Sequence, residues 1–153
     1  MIGISLNTAK PTAGKRDDMD DIKNKVRFVI PVKPKGIRAM VDFYGRGLGF
    51  QVVDEREVLF GGDGGTGQFV SREKCDPVSG ISILRVRVEK DFGVFCQHLK
   101  EVGATFKEIA RMPAGYAARV LDPSGNLITI LCDVDDETND EIVYGWKETV
   151  TIA

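Results

Sequence analysis

The sequence predicts an α+β fold in which one βαβββ unit is used twice, and three observations carry that prediction. First, Val26, Phe28, Ile30 and Val32 recur at every second position, beside Arg27 and Lys33, which is the period of a half-buried strand. Just beyond, Ile37, Met40, Val41 and Tyr44 fall at i, i+3, i+4 and i+7, one face of a helix. Second, the succession returns. Leu84, Val86 and Val88 alternate with Arg85 and Arg87, and Phe92, Phe95, Cys96, Leu99 and Val102 then share a helical face. Third, Gly49 and Gly103 stand 54 residues apart, as do Val29 and Ile83 in the two leading strands. A fixed offset between matching places is the mark of an internal duplication.

In the first unit Pro34 closes the leading strand. Arg38 and Asp42 form an i,i+4 pair on the outer helix face, and Gly45, Gly47 and Gly49 end the helix. Strands follow at Phe50–Val53, Glu57–Phe60 and Gly67–Ser71, with the glycines of Gly61–Gly67 as a flexible turn. That stretch has no Lys-Ser/Thr and opens no helix, so it is not a phosphate loop. In the second unit Gly103 supplies a left-handed helix stop, and strands follow at Thr105–Ile109, Ala117–Leu121 and Asn126–Cys132. The turn Asp122-Pro123-Ser124-Gly125-Asn126 is a hairpin loop with a bulge. It pairs Asp122 with Asn126 and sets Arg119 opposite Thr129. Residues 1–25 read as a polar arm. Residues 134–153 form an extension that begins in the acidic run Asp133–Glu141, a solvated face rather than a calcium loop, and continues as a further strand over Ile142–Ala153. A strand left unpaired there would seek another subunit.

Composition excludes several classes. The chain has 153 residues, the length of one domain or of two half-size repeats in a single core. Lys+Arg is 21 against 23 for Asp+Glu, a net charge of -2, which argues against a nucleic-acid backbone binder. No apolar stretch reaches the ~20 residues that span a bilayer, and no secretory signal is evident at the start, so a cytoplasmic protein is expected. Cys75, Cys96 and Cys132 are odd in number and contain no CxxC, so neither a disulfide framework nor a structural zinc site is expected. Cys96 and Cys132 share parity with apolar neighbours and read as core thiols, while Cys75 lies in a loop. His98, the single histidine, sits on a helix beside Leu99 and reads as a surface residue.

Three segments together resemble the vicinal oxygen chelate superfamily, which includes glyoxalase I, extradiol dioxygenases and bleomycin-resistance proteins. They are Ala39-Met40-Val41-Asp42-Phe43-Tyr44 running into Leu48-Gly49-Phe50, Leu99-Lys100-Glu101-Val102-Gly103-Ala104, and Asp122-Pro123-Ser124-Gly125-Asn126-Leu127-Ile128. The resemblance covers residues 26–133 and implies modules over 26–78 and 79–133 whose curved mixed sheet encloses a cavity, commonly completed in a homodimer. It also implies four cavity-facing metal positions, filled in the family's enzymes by His, Glu or Gln. Here these fall at or near Val29, Ser71, Ile83 and Thr129. Two hydroxyls and two aliphatic groups are a poor set for any divalent ion. No metal and no cofactor are therefore expected.

The cavity side also carries Arg27, Arg85, Arg87 and Arg119. Guanidinium groups in a cleft favour carboxylate or phosphate ligands, unless local acids such as Glu89 or Asp91 hold them at the rim. The expected ligand site is Arg85, Arg119, Thr129, Ser71, Val29 and Ile83, with Phe60, Tyr116 and Trp146 as aromatic walls. The expected function is metal-free binding of a small organic molecule, anionic or aromatic, with sequestration of a drug or metabolite as its use. A metal-independent isomerase or lyase using Arg119 as electrophile and Tyr116 as acid is one alternative, and a protein-interaction module whose two terminal segments clasp a partner is the other. No catalytic residue is assigned.

Overall fold

The computed structural model describes residues 27–61, 64–77 and 80–152. The arm expected over 1–25, and part of the Gly61–Gly67 turn, lie outside those residues. The first half runs β1 (Arg27–Val32), α1 (Ile37–Asp42), β2 (Gln51–Val53), β3 (Glu57–Leu59) and β4 (Thr66–Ser71). The second runs β5 (Ser82–Arg87), α2 (Phe92–Glu101), β6 (Thr105–Met112), β7 (Gly115–Leu121) and β8 (Leu127–Cys132). A terminal helix α3 (Glu137–Val143) and strand β9 (Thr149–Thr151) complete the order. The last turn of the first helix, Phe43–Gly47, widens into a π-helical turn.

Among the described residues the strands form a four-stranded sheet ordered β1-β4-β3-β2 and a five-stranded sheet ordered β5-β8-β7-β6-β9. In each half the leading strand pairs in parallel with the last, β1 with β4 and β5 with β8, and the others pair antiparallel. The same βαβββ succession thus yields the same strand order twice. The fold is α+β, and its two sheets are not closed into one barrel. Pro31, which has no amide hydrogen to donate, sits in β1 at a sheet edge, where its loss costs no ladder bond.

One core serves both halves. Met40, Phe43 and Tyr44 from the first helical segment and Phe92, Cys96 and Leu99 from α2 are fully buried. They meet Ile30 and Val58 of one sheet and Ile109, Tyr116, Val120, Ile128 and Ile130 of the other. Each large apolar side chain so buried contributes about 1.5–3 kcal/mol.

The Asp122–Asn126 hairpin joins the halves. The Asp122 amide donates to the Asn126 carbonyl at 2.9 Å, and Gly125 takes the left-handed conformation the turn requires (φ 91°). From this tip the Asn126 Nδ2 donates to the Pro31 carbonyl at 2.8 Å, and the Ser124 hydroxyl accepts from the Lys33 amide at 3.0 Å. Asp122 accepts from the amides of Ser124 (2.9 Å) and Asn126 (3.0 Å), from Asn126 Nδ2 (2.7 Å) and from the Tyr44 hydroxyl (3.0 Å). Burial pushes the Asp122 carboxyl up, and these four bonds pull against it.

The C-terminal extension differs from its expectation. The second half of the acidic run continues into a helix, Glu137–Val143, and among the described residues of the extension only Thr149–Thr151 is a strand. The cause is a cap: the Asp136 side chain accepts from the Asn139 amide at 2.7 Å, with Glu137 and Asp140 in the first turn, where the helix dipole favours acids. Strand β9 pairs in parallel with β6 of its own chain rather than with another subunit. Lys100 Nζ stands 4.1 Å from the Trp146 ring centroid and 3.2 Å from Glu148, which fastens the extension to α2. Among the described residues no helix is long and apolar enough to cross a membrane.

Candidate functional site

Four residues line up across the second sheet. Arg85 stands opposite Thr129, Thr129 opposite Arg119, and Arg119 opposite Glu108. Residues directly opposite share a face of the sheet. Their alternating neighbours Tyr116, Ala118, Val120, Ile128 and Ile130 are buried in the core with the helices, so the row occupies the opposite face, the side that the resemblance makes concave. A bulge in β5 at Ile83 turns Ser82 onto the same face, where its hydroxyl hydrogen-bonds that of Thr129. Arg85 and Arg119 are exposed. Among the described residues no carboxylate lies within ion-pairing distance of either, Glu89 and Asp91 included. Arg87, by contrast, pairs with Asp133.

The first sheet presents a corresponding row, Val29 opposite Gln68 and Gln68 opposite Glu57. Arg27 approaches Glu57 at 3.7 Å. Where the free edges of β1 and β5 adjoin, a cavity of about 190 Å³ is lined by Phe28, Val29, Ile30, Phe60, Ile83 and Leu84. A larger cavity of about 490 Å³ lies along the second sheet, with Arg72, Lys107, Arg119, Leu121 and Leu127 in its wall.

Of the residues read from the sequence, Arg85, Thr129 and Arg119 therefore share one row, and Val29, Ile83 and Phe60 share the cavity at the seam. Ser71 belongs to neither. It is in phase with Gly67 and Phe69, whose neighbours lie in the core, so Gln68 and Val70 take the concave positions of β4. Tyr116 is a correction as well. It is fully buried on the helix side, stacked on Phe92 with centroids 5.0 Å apart. Its hydroxyl donates to Asp140 at 2.6 Å and reaches the Asp136 carbonyl at 3.2 Å, so it can neither line the concave face nor act there as an acid. Phe60 reaches the seam from the core side, packed edge-on against Phe28 and Phe50. Trp146 is taken up by Phe106 and Lys100. His98 Nε2 donates to the Arg46 carbonyl at 2.6 Å, far in function from the row.

The sequence reading missed Ser82, Gln68, Glu108, Arg72 and Lys107. Bulges aim Ser82 and Lys107, and bulges have no dependable residue code; Gln68 was hidden by the weak alternation of Thr66–Ser71.

The metal positions that the resemblance implies can now be tested on their donors. With Gln68 in place of Ser71, the set is one amide, one hydroxyl and two aliphatic side chains. Gln68 is a side chain of the type the family uses, but a single neutral amide beside one hydroxyl supplies no imidazole, thiolate or carboxylate, the groups that hold divalent ions. Glu57, the nearest acid in register, is engaged by Arg27. Among the described residues no three His, Cys, Asp or Glu side chains converge as a metal site. The residues present do not fit a divalent cation.

The family model for the Glyoxalase/Bleomycin resistance protein/Dioxygenase superfamily matches residues 30–130. Among solved structures the chain is similar to a glyoxalase/bleomycin resistance protein/dioxygenase family enzyme from Burkholderia phytofirmans PsJN. That match has a TM-score of 0.55 and 22% identity, over 69% of this chain and 97% of that one. It is also similar to TnmS3, an antibiotic binding protein from Streptomyces sp. CB03234 (TM-score 0.54, 25% identity, 70% and 93% covered). A superfamily member from Sphaerobacter thermophilus DSM 20745 matches with a TM-score of 0.53 and 20% identity over 70% and 96%. The first and third, at their low identity, speak for the fold alone. A search of curated proteins found no significant match.

Proposed function

Because the chain belongs to the glyoxalase/bleomycin resistance protein/dioxygenase superfamily, we propose that it is a metal-free binding protein. It holds a small organic anion on the concave face of its second sheet and so sequesters a drug or metabolite. The observation that carries this reading is the row Arg85–Thr129–Arg119, in which two guanidinium groups flank a hydroxyl and, among the described residues, neither is neutralised by a carboxylate. Arginine pairs bind planar oxyanions through two parallel charge-assisted hydrogen bonds. The Val29, Phe60 and Ile83 cavity offers an apolar recess for the body of the guest. The likeness to TnmS3, an antibiotic binding protein, supports binding as the activity.

The working unit in this reading is a homodimer in the cytoplasm. Phe28, Val29 and Ile81 leave about half of their surface or more exposed (46%, 51% and 62%) beside the open sheet edges, the kind of apolar patch a second copy covers. Three free thiols suit a reducing compartment. A lyase or isomerase working through Tyr116 has lost its acid to the core, which favours binding over turnover.

Titration calorimetry with benzoate tests the reading. Arg85→Gln and Arg119→Gln each weaken binding about ten-fold, the worth of one charge-assisted bond, while Ser71→Ala changes nothing. The bound benzoate is recovered intact, and elemental analysis of the purified protein finds no stoichiometric Zn, Mn, Fe or Ni. Unchanged affinity in either arginine variant, or a resident metal, refutes the proposal.

A further inference from the structure

The larger cavity gathers Arg72, Lys107 and Arg119, and among the described residues no acidic side chain lines it. A chain of net charge -2 has no general surplus of cations, so three in one lining is a local arrangement. Among the described residues none of the three takes part in an ion pair. Glu108 faces Arg119 in register but stays outside ion-pairing distance, and the nearby acids of the connection, Glu73 and Asp76, do not line the cavity. The backbone sets where two of the cations leave the chain. The Arg72 amide donates to the Val32 carbonyl at 2.9 Å, which fixes the start of the β4–β5 connection. Lys107 is the extra residue of a bulge in β6, between Phe106 and Glu108, the device by which strands re-aim a side chain. Leu121 and Leu127 supply an apolar wall, and about 490 Å³ exceeds what a bare inorganic anion needs.

We infer that this cavity is a subsite for a doubly charged oxyanion head, that of a phosphate monoester or phosphonate, carried by a compact apolar body. Three unneutralised cations that share a cleft repel one another and focus a positive potential into it. A single carboxylate offsets one of them, whereas a phosphate monoester brings -1.5 to -2 at neutral pH and three acceptor oxygens. Two guanidinium forks and one ammonium point charge match a tetrahedral head better than a planar one. The inference rests on the binding reading above and narrows its guest, since Arg119 belongs to both the row and this cavity. Arg85 lies outside it and separates the two.

The experiment compares phenyl phosphate with benzoate by titration calorimetry on the intact protein. Phenyl phosphate binds about ten-fold tighter. Arg72→Gln and Lys107→Gln each remove most of that preference and leave the affinity for benzoate within two-fold, while Arg85→Gln weakens both probes. Raising the salt concentration weakens phenyl phosphate more steeply than benzoate. If phenyl phosphate gains nothing over benzoate, or if both Arg72→Gln and Lys107→Gln leave the preference intact, the subsite is refuted even where benzoate still depends on Arg85. A phosphate preference lost in those two variants alongside indifference of benzoate to Arg85→Gln upholds the subsite and refutes the row.

Discussion

The Tyr44 hydroxyl donates a 3.0 Å hydrogen bond to Asp122, 78 residues away, and both side chains are buried. Tyr44 lies in the last turn of the first half's helical segment and Asp122 opens the hairpin of the other, so this buried contact joins the Asn126–Pro31 and Ser124–Lys33 bonds in tying the halves together. Around it Asp122 uses both oxygens, holding the turn with one and reaching the first half with the other.

Tyr44→Phe removes one donor and leaves Asp122 with its Asn126 partner. It lowers stability by about 1–2 kcal/mol in urea denaturation. Asp122→Ala orphans the Ser124 and Asn126 amides as well and costs about 3 kcal/mol. A Tyr44→Phe protein as stable as wild type shows that the contact does not hold the halves together.

The extension carries an acid-sensitive tie. Hydrogen bonds from Arg111 (2.7 Å) and Tyr116 (2.6 Å) hold the Asp140 carboxyl below the ordinary carboxylate range. A depressed native pKa stabilises the fold above the unfolded value, about 3.9. That contribution disappears as pH falls through the native value. Asp140→Asn therefore lowers Tm at pH 7 and flattens its decline below pH 4. Parallel Tm-against-pH curves for the two proteins contradict the assignment.

A Cβ at Gly115 would come 2.2 Å from the Cys132 carbonyl oxygen, with φ at 136°, a conformation side chains rarely adopt. The obstacle is backbone in β8, which cannot step aside as a side chain does. Gly115→Ala loses about 3 kcal/mol or fails to fold. Chemical denaturation of the variant with a midpoint near wild type rules out this packing.

Cys96 and Cys132 are buried and Cys75 is half-buried in its loop. Burial pushes the Cys96 thiol well up, away from its reactive thiolate form. A colorimetric thiol reagent titrates one cysteine in the native protein and three after denaturation. Two fast thiols in the native state would mean that the core is open.

Local signals carried most of the fold. The alternation in both leading strands and the Asp122-Pro123-Ser124-Gly125-Asn126 turn fix face and register within a few residues, so Arg119 opposite Thr129 was readable. That same register forbids Tyr116 from the concave face, because residues three apart in a strand point to opposite sides. Ser71 is a different case. Phe69 and Val70 are both apolar, so the phase of β4 has no reading without its partner strand. The extension hid its helix because Asp136 caps through a side-chain bond that an acidic run does not advertise. Arg72 and Lys107 meet only through tertiary folding, from opposite halves of the chain.

Strands β1 and β5 adjoin at the seam cavity yet belong to separate sheets, so among the described residues no ladder of amides crosses between them. Side chains fill the gap, and the hairpin ties the halves beside it through Asn126 on the Pro31 carbonyl and Ser124 on the Lys33 amide. The recess is therefore bounded by side chains and not spanned by strand pairing, so a smaller residue at Val29, Ile83 or Leu84 enlarges it without breaking a sheet hydrogen bond.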